Sequence, residues 1–261
     1  MSNVAAPEAS VLVLSCDRYA DLWQPFFTLF HRYWPDCPYP VYLGTNELAY
    51  DETEVTSLQA GEDRGWAVGA HAVLAQIPTR YVIVLLEDYL LTAPADTARI
   101  AELVGLASDD GLGCLRLAPV PGAAVELPGL PGVGELPRGA PYRVSLQAAV
   151  WDVRTLGALI LDGESPWLLE TAGSQRSNLR DEAFLSVTQD AAWPLPYLAT
   201  AIVRGRWIRE GVELCRREGI EPDLGVRPVE TSWQRLRRVR TPAAAGPAIG
   251  AASKLMRTVR R

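Results

Sequence analysis

The run Tyr-Val-Ile-Val-Leu-Leu at residues 81–86 constrains the fold of this 261-residue chain more than any other stretch. An unbroken apolar run rich in Val, Ile and Leu predicts a strand that is buried on both faces of a mainly parallel sheet. Glu87 and Asp88 follow it directly. Because an unpaired carboxylate is costly to bury, we expect both where the strand leaves the core at its carboxyl end. That edge of an open α/β sheet is where ligands bind.

The adjacent carboxylates of Glu87 and Asp88 have two interpretations. In one, the pair only marks the end of the strand. In the other, it forms a site for a divalent cation or for sugar hydroxyls, because both prefer carboxylate oxygens. Neighbouring strand residues point to opposite faces, so one ligand contacts both carboxylates only if the chain turns at Glu87 and Asp88.

The remaining pattern alternates strands and helices, which predicts one α/β domain with a mainly parallel central sheet flanked by helices. The length suits a single domain, and 48% hydrophobic with 21% charged residues is typical of a globular protein. The predicted strands cover 11–14, 39–44, 81–86, 114–117, 143–151 and 197–203. The predicted helices cover 19–34, 65–77, 153–161 and 206–217, with a further helix that Asp96 caps at its N-terminus. Residues 47–63 and 119–141 are predicted loops, the second rich in Pro and Gly.

The composition excludes several classes of protein. The four cysteines are far apart and the chain has two histidines, so neither a zinc site nor a disulfide framework is indicated. No apolar run reaches the length of a membrane span, and the first residues lack a signal-peptide pattern, so we expect a cytoplasmic protein. Ser15, Asp17 and Arg18 follow the first predicted strand, where an α/β fold often holds a nucleotide, but the glycine-rich phosphate-binding motifs are absent.

Four stretches together resemble bacterial glycosyltransferases of the GT-A type, in their small one-domain form. They are Val-Leu-Ser-Cys-Asp-Arg-Tyr at 13–19, Glu-Asp-Tyr at 87–89, Ser-Leu-Gln-Ala-Ala-Val-Trp at 145–151 and Ser-Pro-Trp-Leu-Leu-Glu at 165–170. The resemblance covers most of residues 10–227. It implies a GT-A-like domain over residues 1–230, with a nucleotide-binding half at 1–118 and an acceptor-side half at 119–230.

The resemblance also implies roles for particular residues on the donor side. Ser15, Asp17 and Arg18 would contact the nucleotide. Apart from the resemblance, Trp66 is a candidate to border the nucleotide because it precedes the central strand. Glu87 and Asp88 would bind a metal, with Asp88 also at the donor diphosphate. The usual Asp-x-Asp of the family is replaced here by Glu-Asp-Tyr, so two alternatives stay open. Either Mn²⁺ or Mg²⁺ is bound, or arginines neutralise the diphosphate without a metal. Arg176 is a candidate for this contact, or a plain solvated arginine.

A transfer that inverts the sugar configuration, which we slightly favour, needs a carboxylate base near the acceptor hydroxyl. Glu170 is the first candidate, Asp181 the second and Glu182 the third. Glu170 follows Trp167, whose indole could stack on a sugar face. The alternative for Trp167 is an aromatic residue at the edge of the core.

Residues 231–261 differ in charge from the rest of the chain. They hold eight basic and no acidic side chains, which leaves 17 basic against 31 acidic residues elsewhere, a balance of −14. Apolar residues are interleaved, so this basic tail would suit an anionic membrane surface at the inner face of the membrane; a disordered solubilising tail is the alternative. Nucleic-acid binding is disfavoured because the acidic body would repel phosphates.

These patterns lead to one main functional hypothesis and two others. The main one is a glycosyltransferase that moves a sugar from a nucleotide-sugar donor to a saccharide or lipid-linked acceptor, in the assembly of cell-surface polysaccharide or glycoconjugate. The alternative is a non-catalytic module or scaffold that binds a nucleotide sugar. A nucleotidyltransferase is the third, disfavoured because no glycine-rich loop bearing Lys or Arg lies near the first strand.

Overall fold

The computed structural model describes residues 8–240. Their contacts group into two compact units. Unit 1 comprises residues 8–17, 36–86 and 96–194, and unit 2 comprises residues 18–35, 87–95 and 195–240. Both units draw on three separate stretches of chain. The predicted halves, 1–118 and 119–230, stay a prediction.

Unit 1 is built on an eight-stranded sheet with the order β3-β2-β1-β4-β7-β5-β8-β6. Four of its seven neighbouring pairs are parallel: β3–β2, β2–β1, β1–β4 and β5–β8. The strand β7 runs antiparallel to both of its neighbours, and β6 is an antiparallel edge strand. The strands are β1 (Ala9–Leu14), β2 (Val41–Thr45), β3 (Val55–Gln59), β4 (Tyr81–Leu85), β5 (Cys114–Arg116), β6 (Val133–Glu135), β7 (Ala149–Asp152) and β8 (Phe184–Val187).

Helices of unit 1 flank this sheet, which confirms the predicted fold class. They are α2 (Trp66–Leu74), α3 (Thr97–Asp109) and α4 (Val153–Leu159). Leu12 and Val82 share one buried apolar cluster with residues of α2 and α4, and α3 packs on β5 and β7. The side chain of Asp96 accepts the Arg99 N–H at 2.9 Å, so the predicted cap of α3 is confirmed.

A second helical stretch of unit 1, the 166–179 segment, changes its winding along its length. It consists of α5 (Pro166–Leu168), a π-helical turn (Leu169–Gly173), α6 (Ser174–Arg176) and a 3₁₀ turn (Ser177–Leu179). Ser165 caps its beginning by accepting the Leu168 N–H at 3.3 Å. π-helical turns inside helices occur frequently at functional sites.

Unit 2 consists mainly of helices. They are α1 (Ala20–Tyr33), α7 (Arg209–Arg217) and α8 (Ser232–Arg240), with the small hairpin β9 (Ile202–Val203) and β10 (Arg206–Trp207). A 3₁₀ turn at Asp17–Tyr19 precedes α1. Gly219 has φ +74° and the Ile220 N–H donates to the Cys215 carbonyl at 2.8 Å, which confirms the predicted glycine C-cap of α7. Within residues 8–240, no helix is both long enough and apolar enough to cross a lipid bilayer.

The structure differs from the sequence prediction where strands are short or lie at an edge. The predicted loops contain β3 and β6, and β8 follows the 166–179 segment without having been predicted. The predicted strand 143–151 begins only at Ala149, because residues 144–146 bond to the 166–179 segment instead of to a neighbouring strand. The predicted strand 197–203 shortens to β9, and the predicted helix 206–217 begins at Arg209, after β10.

Candidate active site

The carboxyl ends of β1 and β4 lie at a topological switch point of the sheet. Successive strands run from β1 through β2 to β3, and β4 then pairs with the opposite side of β1. The register pairs Val13 with Leu85, so both strands end at the same edge. In open α/β sheets the crevice outside such a point binds ligands. Ser15 follows β1 at this edge and is half-buried.

The carboxylate of Asp17 is occupied by backbone donors. It accepts the N–H groups of Asn46, Glu47 and Leu48 at 2.9, 3.0 and 3.1 Å, and the Asp17 N–H donates to the Asn46 side chain at 3.1 Å. These bonds fix the turn that follows β2. Asp17 therefore has a structural role, and the nucleotide contacts predicted for Ser15 and Asp17 stay predictions.

The chain turns at Glu87 and Asp88, which meets the geometric condition for a shared ligand. Both residues are buried, with 8% and 9% of their surface exposed. Burial raises the pKa of Asp88 above its ordinary value, although hydrogen bonds from Thr200 and Ile202 act in the opposite direction. The Ile202 N–H donates to Asp88 Oδ2 at 3.3 Å.

The hydroxyl of Thr200 lies between two acceptors but carries one proton. Its Oγ1 is 2.5 Å from Asp88 Oδ2 and 2.7 Å from the Ile202 carbonyl oxygen. With Asp88 protonated, its carboxyl donates to Thr200 Oγ1, which donates to the Ile202 carbonyl, so that both contacts become hydrogen bonds. With Asp88 ionised, one of the two contacts lacks a proton, and a nearby cation would have to stabilise the charge.

A cation held by Glu87 and Asp88 would have to take further ligands from a substrate or from water. Within residues 8–240, no group of three or more His, Cys, Asp or Glu side chains could hold a metal ion. Mg²⁺ does not require such a group, since it is commonly held by one or two carboxylates, several waters and substrate phosphates. Metal binding at this pair stays a prediction.

Arg227 forms a two-pronged ion pair within unit 2. Its Nε and Nη2 donate to the two carboxylate oxygens of Asp21 at 2.9 Å each, and Nη2 also donates to the Arg18 carbonyl at 2.9 Å. The guanidinium lies 4.5 Å from the ring centre of Tyr19. The pKa of Arg227 is raised: burial opposes the charge, but the bonds to Asp21 and the negative charges of Asp21 and Glu87 outweigh it. The Arg18 side chain itself is exposed.

Two other predicted donor-side residues are held within unit 1. Arg176 donates from Nη1 and Nη2 to the carboxylate of Glu164 at 2.8 and 2.6 Å, and from Nε to the Leu159 carbonyl at 3.2 Å. It is therefore not a plain solvated arginine, and the predicted contact with phosphate would require this pair to open. Trp66 begins α2 and packs against the apolar cluster beneath it.

The residue first predicted as a base, Glu170, lines a cleft of about 280 Å³ in unit 1. One wall is residues 139–142, and the other is a row of side chains on the 166–179 segment. That row consists of Glu170, Thr171, Ser174, Gln175 and Asn178. Such a volume lies just below the roughly 300 Å³ at which typical small-molecule pockets begin.

Glu170 is 92% buried, yet its two oxygens have different surroundings. Oε1 accepts the Ser145 hydroxyl at 2.8 Å and the Leu146 N–H at 3.0 Å. Oε2 accepts no hydrogen bond from any residue in the described part of the chain. The Ser145 hydroxyl in turn accepts the Gln147 N–H at 3.3 Å, so it has one acceptor and one donor. This arrangement leaves one oriented carboxylate oxygen available at the cleft.

The other acceptor-side candidates differ clearly from Glu170. Asp181 is fully exposed, and its carboxylate lies 3.8 Å from Arg138. Glu182 pairs with Arg180 and also accepts the Thr155 hydroxyl at 3.1 Å; the bond from Arg180 holds the pKa of Glu182 below its usual range. Trp167 is 57% exposed, so the alternative interpretation of Trp167 as an aromatic residue at the edge of the core is wrong. Asp181 and Glu182 as bases stay predictions.

Sequence reasoning missed two buried arginines behind the cleft. Arg116 and Arg143 are 0% and 2% exposed. Arg116 donates to the carbonyl of Pro121, and at 2.6 Å to that of Tyr142. Arg143 donates to the carbonyls of Leu136 and Ser177 at 2.8 and 2.6 Å. The signal for Arg116 was a charged residue inside an otherwise apolar predicted strand.

No protein-family model and no curated protein sequence matches this chain. Among solved structures, it is similar to S. aureus TarS 1–349 (14% identity, TM-score 0.47), covering 75% of this chain and 61% of TarS 1–349. It is also similar to a cytidylyltransferase from Leptospira borgpetersenii (11%, 0.48), covering 75% and 82% of the two chains. The third is 2-C-methyl-D-erythritol 4-phosphate cytidylyltransferase from Thermus thermophilus (12%, 0.41), with 74% and 93% covered. At these low identities and TM-scores the similarities carry no functional assignment, and the GT-A resemblance stays a prediction.

Proposed function

We propose that this protein is a glycosyltransferase that moves a sugar from a nucleotide-activated donor to a saccharide or lipid-linked acceptor. The observation that carries the proposal is the Glu170 carboxylate: buried, oriented through Oε1, and open at Oε2 toward a cleft. A general base needs this combination of fixed geometry and an available oxygen. The assembly of cell-surface polysaccharide or glycoconjugate is the process that such an activity would serve.

In this mechanism Glu170 Oε2 accepts the proton of the acceptor hydroxyl. The acceptor oxygen attacks the anomeric carbon of the donor sugar as the bond to the nucleoside diphosphate breaks, and the sugar configuration inverts. Ser145 and the Leu146 N–H hold the carboxylate in position through Oε1. A positioned base of this kind contributes roughly 10²–10⁴ to the rate.

The leaving nucleoside diphosphate gains one negative charge, on the oxygen that was bonded to the anomeric carbon, and this charge has to be stabilised. The turn at Glu87 and Asp88, directly after β4, supports this role, because it follows a strand that ends at the switch point. A divalent cation bound there would neutralise the departing diphosphate. Without a metal, exposed arginines such as Arg18 would supply the positive charge.

Calorimetric titration of the protein with UDP-, dTDP- and GDP-sugars tests the donor side, each with Mn²⁺ and again with EDTA. The key variant is Asp88→Asn, whose amide can donate to Thr200 Oγ1 as a protonated carboxyl would, so its fold should persist. The control variant is Asp162→Asn, which makes the same change at an exposed aspartate of unit 1. We expect binding that needs Mn²⁺, and Asp88→Asn to lose both this binding and transfer.

Each outcome of this titration separates the alternatives. Donor binding that persists both with EDTA and in Asp88→Asn would indicate that arginines, and not a metal at Asp88, bind the diphosphate. Full transfer activity in Asp88→Asn would remove the assignment of Asp88. The failure of every donor to bind would remove the glycosyltransferase proposal itself.

The second candidate is a non-catalytic module that binds a nucleotide sugar. The observation in its favour is the network of Thr200, which is complete when Asp88 is neutral and so unsuited to a cation. Binding of a donor, with neither transfer nor hydrolysis across a panel of saccharide acceptors, would support it.

We further propose that residues 231–261 contact an anionic membrane surface at the inner face of the membrane. Within α8, Trp233 and Leu236 are 65% and 47% exposed, while Arg238 pairs with Glu210 and Glu230 at 3.0 and 2.7 Å. Most of the basic tail lies outside the described residues. Deleting residues 241–261 should weaken sedimentation with anionic liposomes, and Trp233→Gln with Leu236→Gln should weaken it further; unchanged sedimentation would contradict this contact.

A further inference from the structure

The wall of the cleft opposite Glu170 contains a turn with an unusual residue. The Arg143 N–H donates to the Ala140 carbonyl at 3.3 Å, which closes a four-residue turn over residues 140–143. Pro141 occupies its second position, and Tyr142 its third, with φ +54°. Proline followed by a residue with positive φ is the pattern of a type II turn, whose third position strongly favours glycine. Here that position carries a large aromatic side chain.

The positive φ of Tyr142 does not arise from a β-hairpin connection. Within residues 8–240, Arg204 is the one other non-glycine residue with positive φ. Arg204 and Gly205 form the two-residue connection between β9 and β10, where positive φ at both positions is normal. Tyr142 joins no such strand pair. A tyrosine in this conformation persists only where its surroundings impose it, and such residues cluster at ligand-binding sites.

Two buried arginines hold this turn through main-chain carbonyls. Arg116 donates to the Tyr142 carbonyl at 2.6 Å and to the Arg143 carbonyl at 3.2 Å. The side chain of Arg143, the last residue of the turn, donates to the Ser177 carbonyl near the C-terminal end of the 166–179 segment. At the other end of the wall, the Gly139 N–H donates to the Asn178 side chain at 2.8 Å. The wall is thus fixed to the segment that carries Glu170.

The cleft is lined by an aromatic residue and a carboxylate residue from two different stretches of the chain. Tyr142 and Glu170 both line it, and Tyr142 is half-buried. A volume of about 280 Å³ suits a single sugar ring better than a nucleotide sugar. The C–H groups on one face of a pyranose match the negative face of an aromatic ring, and its hydroxyl edge matches a carboxylate oxygen.

We propose that the ring of Tyr142 is the platform on which one pyranose ring of the acceptor stacks, with a hydroxyl of that ring directed at Glu170. This inference rests on the proposed function and names the acceptor as a pyranoside that binds through one apolar face. Tyr142 is then the residue that selects the acceptor. Arg116 and Arg143 hold the turn in which Tyr142 has positive φ, and a glycine at this position would relieve the strain but remove the aromatic ring.

The test compares Tyr142→Phe, Tyr142→Ala and Tyr142→Gly, with Tyr50→Ala as a control at a half-buried tyrosine of unit 1 that does not line the cleft. Binding is measured by saturation-transfer NMR titration with the methyl pyranosides of glucose, galactose, mannose and N-acetylglucosamine. Thermal unfolding is measured on the same variants. Neither readout requires a donor or a turnover.

We expect Tyr142→Phe to bind the preferred glycoside within twofold of wild type, and Tyr142→Ala and Tyr142→Gly to lose at least tenfold. Tyr142→Gly should unfold about 2–4 °C above Tyr142→Ala, because alanine keeps the Cβ that disfavours positive φ. Wild-type-like binding by Tyr142→Ala would overturn the proposal, as would the absence of binding of all four glycosides to the wild-type protein. Equal unfolding temperatures of Tyr142→Gly and Tyr142→Ala would contradict the claim that the positive φ at residue 142 is strained. Binding that depends on Tyr142 with no transfer from any nucleotide sugar would remove the transferase function and leave the platform.

Discussion

Asp88 in unit 2 and Glu170 in unit 1 are buried to nearly the same extent, and each is held through one oxygen by a hydroxyl and a backbone N–H. The hydroxyls differ in what they face. Thr200 lies between two acceptors, whereas Ser145 has one acceptor and one donor. The bonds around Glu170 are therefore complete with a carboxylate, and those around Asp88 with a carboxyl group. Similar burial thus suits one residue to accept a proton and the other to need a proton or a cation.

The largest expected effect that tests this contrast is on the rate of transfer. Glu170→Gln should lower kcat by roughly 10²–10⁴, because the amide cannot accept the proton of the acceptor. Its Oε1 can still accept the bonds from Ser145 and Leu146, so the unfolding temperature and donor affinity should stay near those of wild type. Steady-state kinetics with calorimetry measures this, with Asp162→Asn as the control. An unchanged kcat would end the assignment of Glu170 as the base.

A smaller effect should separate the two supporting hydroxyls. Ser145→Ala removes a donor from a buried carboxylate and should cost about 1.5–3 kcal/mol of unfolding free energy, whereas Thr200→Val, with Asp88 protonated, should cost about 0.5–1.5 kcal/mol. Urea unfolding of both variants at neutral pH measures the difference. Ser145→Thr and Thr200→Ser, which keep the hydroxyl, are the matched controls. A larger loss in Thr200→Val would reverse the assigned protonation states.

The smallest effect concerns Glu182, a carboxylate whose pair with Arg180 is partly exposed. Glu182→Gln should lose less than about 1 kcal/mol and leave kcat unchanged. Because the pKa of Glu182 is lowered, the wild-type advantage should be complete above the ordinary glutamate pKa, about 4.3, and should vanish as the pH falls through the lowered value. Thermal unfolding between pH 3 and 7 measures it. A loss of kcat comparable to that of Glu170→Gln would transfer the role of base to Glu182.

The parts of the fold that the sequence predicted are those with local causes. The apolar run before Glu87 forms β4, and the caps at Asp96 and Gly219 are where the pattern puts them. Each depends on neighbours within a few residues. By contrast, β3 and β6 carry few apolar residues because they lie at the two edges of the sheet.

The candidate site was predictable only in part, because most of its contacts come from residues that are distant in the chain. Glu170 was found because it follows Trp167 and Pro166 in a motif, but its hydrogen bonds come from residues 24 and 25 positions away in the chain. Nothing near Tyr142 in the sequence indicates a positive φ, since the Pro that precedes it is compatible with several turns. The carbonyl contacts of Arg116 and Arg143 are equally non-local.

The two buried arginines have a consequence for how this protein can diversify. Each holds the wall of the cleft through main-chain carbonyls, those of Pro121, Leu136, Tyr142 and Ser177 among them. Every amino acid supplies a carbonyl, so the anchors do not depend on which side chains the 119–141 stretch carries. Exposed side chains on that stretch, such as those of Val125 and Glu135, can therefore vary while the frame around Glu170 is retained, whereas Gly122 and Gly134 must stay because a Cβ at either position would clash with backbone atoms.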